Sequence, residues 1–397
     1  MKASKYIWWG APKKFDERNH ERKISWLELF YDLVYVAAIG QLTHHLADSL
    51  SWSAISKSFL LFSLLFWSWI NGSQYYDLHG NNSIRTRVLT FLQMLSLAAV
   101  AISIDDIFKN NHKAFAISFA IVQAIVTYLW WSVVLYDPSH KKLNKPYTIS
   151  YIISLVILLV SIFTSNQLAF FLWSIVLILN LAPPIIGAKT ITSVLKSRGQ
   201  TFSASSAIIE RFGLFTIIIL AESILGIVSG IALIEYKSLV IWVSFILSIL
   251  IAFLIWSIYF DMTADQESKK GYAYMQGLFF MHFPLLFSLS VIGPATKILL
   301  SEPNDNLYNI YWLFSLSLSI TLISVVCIAK MIQANEEINS YKQIVSCFIV
   351  FSAIAIILIP IFLHNIPVYV YFILISFFLF IPVFVGIRTW VNHLKLK

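Results

Sequence analysis

A chain of 397 residues that is 58% hydrophobic and only 12% charged, with a mean hydropathy of +0.77, is not a soluble globular protein, for which about 25% charged residues is usual. Its net charge of +8 is dispersed among short loops, which excludes a basic nucleic-acid-binding domain and reads as the loop bias of a polytopic membrane protein. The two cysteines, Cys327 and Cys347, lie in apolar segments and form no Cys/His pattern, so neither a disulfide framework nor a metal site is expected.

The apolar runs are about 20 residues long and continuous, which predicts helices and not the short alternating strands of a barrel. The fold class is therefore all-α and polytopic, with about twelve transmembrane helices arranged as two parallel six-helix repeats. Residues 1–25 read as a basic arm, with Trp8-Trp9 at headgroup level and no cleavable signal peptide. Spans follow near 26–46, 54–76, 86–107, 114–136, 147–164, 168–188, 206–232, 238–260, 272–297, 307–331, 342–364 and 366–388. A first half (26–188) is divided from a second (206–388) by a basic cytoplasmic linker (189–205), and a cytoplasmic tail (389–397) closes the chain. With the N-terminus inside, all but Lys57, Lys109, Lys113, Lys237 and Lys297 of the 28 Lys and Arg fall on the inner side. That split predicts both termini inside a bacterial inner membrane. Faint internal matches support duplication: Phe66-Trp67-Ser68 with Ile255-Trp256-Ser257, and Glu28-Leu29-Phe30 with Gly213-Leu214-Phe215. Repeats that both start inside are parallel, with an axis along the membrane normal.

Polar residues inside the apolar runs are the candidate site. Span one opens on Glu28 and Asp32, acids four residues apart on one helix face that Tyr35 and Ile39 continue. Facing lipid they would be costly. They form either an ion or proton site or a salt bridge with Arg22, Lys23 or a basic residue of another helix. His44, His45 and Asp48 at the far end read as an outer interfacial cluster, with a metal or proton site as the alternative, and Asp105-Asp106 as solvated. In span two Ser68, Asn71, Gln74 and Tyr75 share a face, either as glue between helices or as the lining of a hydrated path. Span seven carries Arg211 and, about 16 Å deeper along a helix, Glu222. Arg211, Phe215, Ile218, Glu222 and Ser229 fall within one arc of the wheel, which aims the acid in one direction. A carboxylate at the bilayer midplane is protonated or paired, and such acids mark proton and cation paths. His282, beside Pro284 in span nine, is either a proton relay or a hydrogen-bonded core residue.

The stretch Trp26-Leu27-Glu28-Leu29-Phe30-Tyr31-Asp32-Leu33-Val34, with Glu210-Arg211-Phe212-Gly213-Leu214-Phe215 and Ala221-Glu222-Ser223, resembles the bacterial low temperature requirement protein A (LtrA) family. In that family the first span opens E-L-F-[FY]-D-L, and a later span reads E-R-F-G-L followed by G-E-S. Ala221 stands here where glycine is usual, while the acid is kept. The resemblance runs along most of the chain. It implies a multi-span inner-membrane protein and brings no biochemical activity with it. The order Lys23 … Phe30-Tyr31-Asp32 is also similar to potassium channels built of six-span repeats with an R-x-x-x-F-S-D signature, but F-S-D itself is lacking, so this likeness is architectural only.

The chain has no Walker motif, nucleophile elbow, His-Glu-x-x-His or dinucleotide fingerprint, so no cofactor is expected. The leading expectation is a secondary transporter or ion-conducting protein. Glu222, Glu28 and Asp32 would be its ion or proton site, and Arg211, Asn71, Gln74, His282 and Tyr35 its accessory polar groups. The alternatives are a lipid-modifying or lipid-handling protein using Glu28, Asp32 and His282, and a sensor or scaffold without turnover. Expected partners are membrane lipids and a small ion or solute.

Overall fold

A computed structural model describes all residues except 1–9, 16–21, 49–50, 138–140, 198, 200–202, 233, 265, 302–306, 334–335, 364–365 and 396–397. Trp8-Trp9 lie outside the described residues, as does the side chain of Asp48. Among the described residues the chain is helical, with one isolated bridge between Ser268 and Ile332. The helices are α1 (Trp26–Asp48), α2 (Trp52–His79), α3 (Ile84–Phe108), α4 (Lys113–Tyr136), α5 (Lys141–Ser161), α6 (Asn166–Ile186), α7 (Ala188–Ser197), α8 (Ser206–Ala232), α9 (Leu239–Thr263), α10 (Tyr272–Leu300), α11 (Leu307–Met331), α12 (Glu336–Phe362) and α13 (Val368–Lys395). All but α7 are long, and each of the twelve sits on a predicted span. Eleven spans are long and apolar enough to cross a membrane, with α6 and α7 counted as one; α1 is the long helix that falls short on composition.

Local chemistry sets several ends. Ser51, Ser83 and Ser238 cap α2, α3 and α9 by accepting the backbone N–H three residues on. The run from α6 into α7 is nearly continuous, interrupted at Gly187. Pro183 and Pro184 lie within α6 without ending it. Most of the predicted linker 189–205 is thus the amphipathic helix α7, which buries Ile191 and Leu195.

The chain divides into two compact units. One holds residues 1–45, 51–211 and 270–276; the other holds 46–50, 212–269 and 277–397. In the first unit α4 packs between α3 and α5, α5 on α6, and α2 against α4 and α6. Its core is aromatic, with Tyr31, Tyr35, Phe62, Phe66, Trp69, Tyr75 and Trp173 all essentially inaccessible. Phe91, Leu95, Ile102 and Phe171 are exposed, as suits helices solvated by hydrocarbon. In the second unit α12 packs between α11 and α13, and α9 meets both α11 and α13. Hydroxyls tie these helices together: Ser315 to Tyr371 at 2.7 Å, Ser288 to Thr321 at 2.7 Å, and Ser319 to the Ala353 carbonyl at 2.8 Å. Leu225, Ile246, Phe253 and Phe377 face outward.

Candidate functional site

The first unit holds a cluster of five charges, four of them buried. It starts from a local motif, Ser25-Trp26-Leu27-Glu28, at the head of α1. The Ser25 hydroxyl accepts the Glu28 N–H at 3.3 Å, and the Glu28 carboxylate accepts the Ser25 N–H at 3.1 Å and its hydroxyl at 2.9 Å. This is a reciprocal capping box, which satisfies free donors at the helix start. It also fixes where the Glu28 carboxylate points.

Two arginines converge on the acids. Arg22 reaches Glu28 through both terminal nitrogens, at 2.9 and 2.8 Å, and Asp77 through Nε at 3.1 Å. Burial opposes the charge on Arg22, but the hydrogen bonds and field of Glu28, with those of Asp77, outweigh it and raise its pKa above the ordinary arginine value. Arg211 is 0% exposed and grips Asp32 as a fork, Nε to Oδ2 at 2.9 Å and Nη2 to Oδ1 at 2.5 Å, with Nη1 3.4 Å from Glu28. Such bidentate pairing is the strongest form of charged hydrogen bond. The Trp69 indole donates to Asp32 at 2.7 Å, and the Arg211 guanidinium lies over the Trp69 and Tyr31 rings at 5.6 and 5.9 Å. Asp77 also accepts the Ser205 hydroxyl. Three carboxylates face two guanidiniums, so the cluster carries one net negative charge if all are ionised. Trp69→Phe removes a donor to a buried carboxylate, and thermal unfolding in detergent should report a loss of about 1.5–3 kcal/mol.

A polar track leaves the cluster. Tyr31 meets Tyr35 at 3.2 Å, and Tyr35 meets Ser68 at 2.9 Å. A side chain at Gly72 would overlap the Tyr31 hydroxyl, so any larger residue there has to displace Tyr31. Asn71 accepts from Tyr151 at 2.5 Å, and Gln74 is buried. Asn71 therefore links α2 to α5. At the other end of α1, His45 Nε2 lies 2.5 Å from Asp105, so Asp105 is paired and not merely solvated.

The remaining predicted residues lie in the second unit. Glu222 is half-buried within α8 and has no hydrogen-bond or ion-pair partner among the described residues. Its arc is not uniform: Phe215 is buried, Ile218 and Glu222 are intermediate, and Ser229 is exposed. Beside the acid, α8 meets α10 at close quarters. A Cβ on Gly293 would stand 2.8 Å from the Ser223 Cα, one on Gly226 3.7 Å from the Gly293 carbonyl, and one on Gly230 3.1 Å from Lys297 Cγ. Gly226-Ile227-Val228-Ser229-Gly230 is a small-xxx-small face of the kind that lets membrane helices touch. His282 Nδ1 is 2.7 Å from the Leu278 carbonyl, Nε2 is 3.1 Å from the Tyr259 hydroxyl, and the ring stacks on Phe212 at 3.9 Å. That is the environment of a hydrogen-bonded core histidine. Among the described residues no group of three His, Cys, Asp or Glu side chains could hold a metal ion.

Sequence reasoning offered a salt bridge of Glu28 and Asp32 with Arg22, Lys23 or a basic residue of another helix as one of two readings; the structure pairs Glu28 with Arg22 and Asp32 with Arg211. That reasoning did not single out Arg211 as the residue from another helix, and gave no role to Trp69, Asp77 or Ser205. The Ser-x-x-Glu spacing before an apolar run was a signal for the capping box. Nothing local distinguishes Trp69 from the other aromatics of α2.

Eleven helical spans long and apolar enough to cross a membrane define a multi-pass helical membrane protein. The family model of the bacterial low temperature requirement A protein (LtrA) matches residues 23–377, and the chain belongs to that family. It is also 27% identical over 213 residues, 53% of this chain, to the uncharacterized protein RA0937 of Rhizobium meliloti (strain 1021). The matched stretch spans about half (52%) of that relative's length.

Proposed function

We propose that this protein is a secondary transporter or ion-conducting protein of the bacterial inner membrane, with both termini inside, and that Glu222 is its protonatable or cation-binding group. The observation that carries this reading is a carboxylate within an apolar span that has no counter-charge among the described residues. Such a group is expensive unless it is used. Arg211, the basic residue on the same helix, is already saturated by Asp32 and Glu28. In this reading the Glu28–Asp32–Arg211 cluster is a charge latch that joins helix ends, and Tyr35 and Asn71 extend its polar surroundings. The lipid-modifying alternative draws less support, since both ring nitrogens of His282 are occupied and both acids are held by arginines.

The test is ion and proton flux into proteoliposomes holding wild type or Glu222→Gln, across a panel of cations and imposed pH gradients. The variant keeps the shape of the side chain and removes its charge, and flux is expected to fall at least tenfold. Wild-type flux in the variant, with protein folded and inserted, removes Glu222 from the mechanism. Absence of flux in both moves the reading to a non-transporting role.

A further inference from the structure

At the end of the first unit where α1 begins, a cleft of about 860 Å³ opens beside the charge cluster. Four cations line it, Lys13, Arg22, Lys23 and Arg87, against two carboxylates, Glu28 and Asp77. Arg22 and both carboxylates are consumed by one another and by Arg211. Lys13, Lys23 and Arg87 are exposed, and among the described residues no carboxylate pairs with them. The arm that carries Lys13 is fixed in place: its N–H donates to the His79 carbonyl at 3.0 Å, its carbonyl is 2.8 Å from His79 Nδ1, and Asn81 donates to the Ala11 carbonyl at 2.6 Å. The lining also includes Trp26 and Phe30, which are 86% and 56% exposed.

Three exposed cations without a carboxylate partner among the described residues, next to exposed aromatics at the start of α1, match a ligand with an anionic head and an apolar tail. We propose that this cleft is a binding site for a phosphate-bearing amphiphile, the class that includes anionic phospholipids. The phosphate sits among Lys13, Lys23 and Arg87, and the acyl chain follows Trp26 and Phe30. Arg22 shapes the floor but is held by Glu28 and Asp77. The site rests on the cleft alone and does not depend on a transport role for Glu222.

The test is calorimetric titration of the purified full-length protein in neutral detergent with dioctanoyl phosphatidylglycerol, dioctanoyl phosphatidylcholine and inorganic phosphate. Phosphatidylglycerol is expected to bind tightest. In Lys13→Gln/Lys23→Gln/Arg87→Gln its affinity should fall on the order of 100-fold, about fivefold per cation. Lys109→Gln/Lys113→Gln, which removes charge at the other end of α3, should bind as wild type does. If the triple variant does not purify as a folded protein, Arg87→Gln alone should show the fivefold loss. The proposal is overturned if the charge variants bind phosphatidylglycerol like wild type, or if the zwitterionic lipid binds equally well. It is overturned also if inorganic phosphate binds as tightly as phosphatidylglycerol, which would make the ligand a free anion.

Discussion

Arg211→Gln is expected to destabilise the folded protein by about 3–5 kcal/mol, the usual cost of removing one partner from a buried ion pair. The side chain is 0% exposed and Asp32 only 1%, so the loss leaves a carboxylate inside protein with Trp69 as its remaining hydrogen-bond donor. Glu28 suffers less, since Arg22 holds it through two hydrogen bonds. Lysine should not rescue the site, because an ammonium cannot reproduce the fork to both Asp32 oxygens. Combining Arg211→Met with Asp32→Leu should recover much of the stability, since the buried charges then leave together. Chemical denaturation in mixed micelles for the single and double variants checks this. A double variant no more stable than Arg211→Gln would show that the pair is not the source of the loss.

Gly293→Ala is expected to cost about 1–3 kcal/mol, the range for forcing an extra methyl into a packed contact. Its Cβ would lie 2.8 Å from the Cα of Ser223, which is backbone and cannot rotate away. The helices must part, and Ser223 is the neighbour of Glu222. The variant should therefore reduce any Glu222-dependent flux as well as the melting temperature. Gly226→Ala, whose Cβ has an ordinary 3.7 Å contact, should be nearly neutral. Equal effects from the two would show that the Gly293 contact is not tight.

Most of the long helices were legible because a continuous apolar run announces its own length. α7 was not, since ten residues with Ile191 and Leu195 as their buried pair read as a basic loop. The acid pair of α1 was visible as a face that needed a partner, and Arg211 as a charge within an apolar span. Their union was invisible because it joins positions 179 residues apart, and no local pattern encodes which basic residue will arrive. Arg211 was instead placed on the same arc as Glu222 and read as an accessory polar group. In the structure Arg211 serves Asp32, and the arc runs from buried at Phe215 to exposed at Ser229. His282 stood open between relay and core from sequence alone; in the structure it is buried with both ring nitrogens hydrogen-bonded, an arrangement that fits either.

The composition of α1 bears on how the protein is made. It carries two acids, Glu28 and Asp32, in its first two turns, yet the guanidinium that grips Asp32 is encoded 179 residues downstream. At roughly 5–20 residues per second, the ribosome delivers Arg211 roughly 10–35 s after Asp32. Asp32 therefore gains its arginine only once seven helices and the head of the eighth have been synthesised.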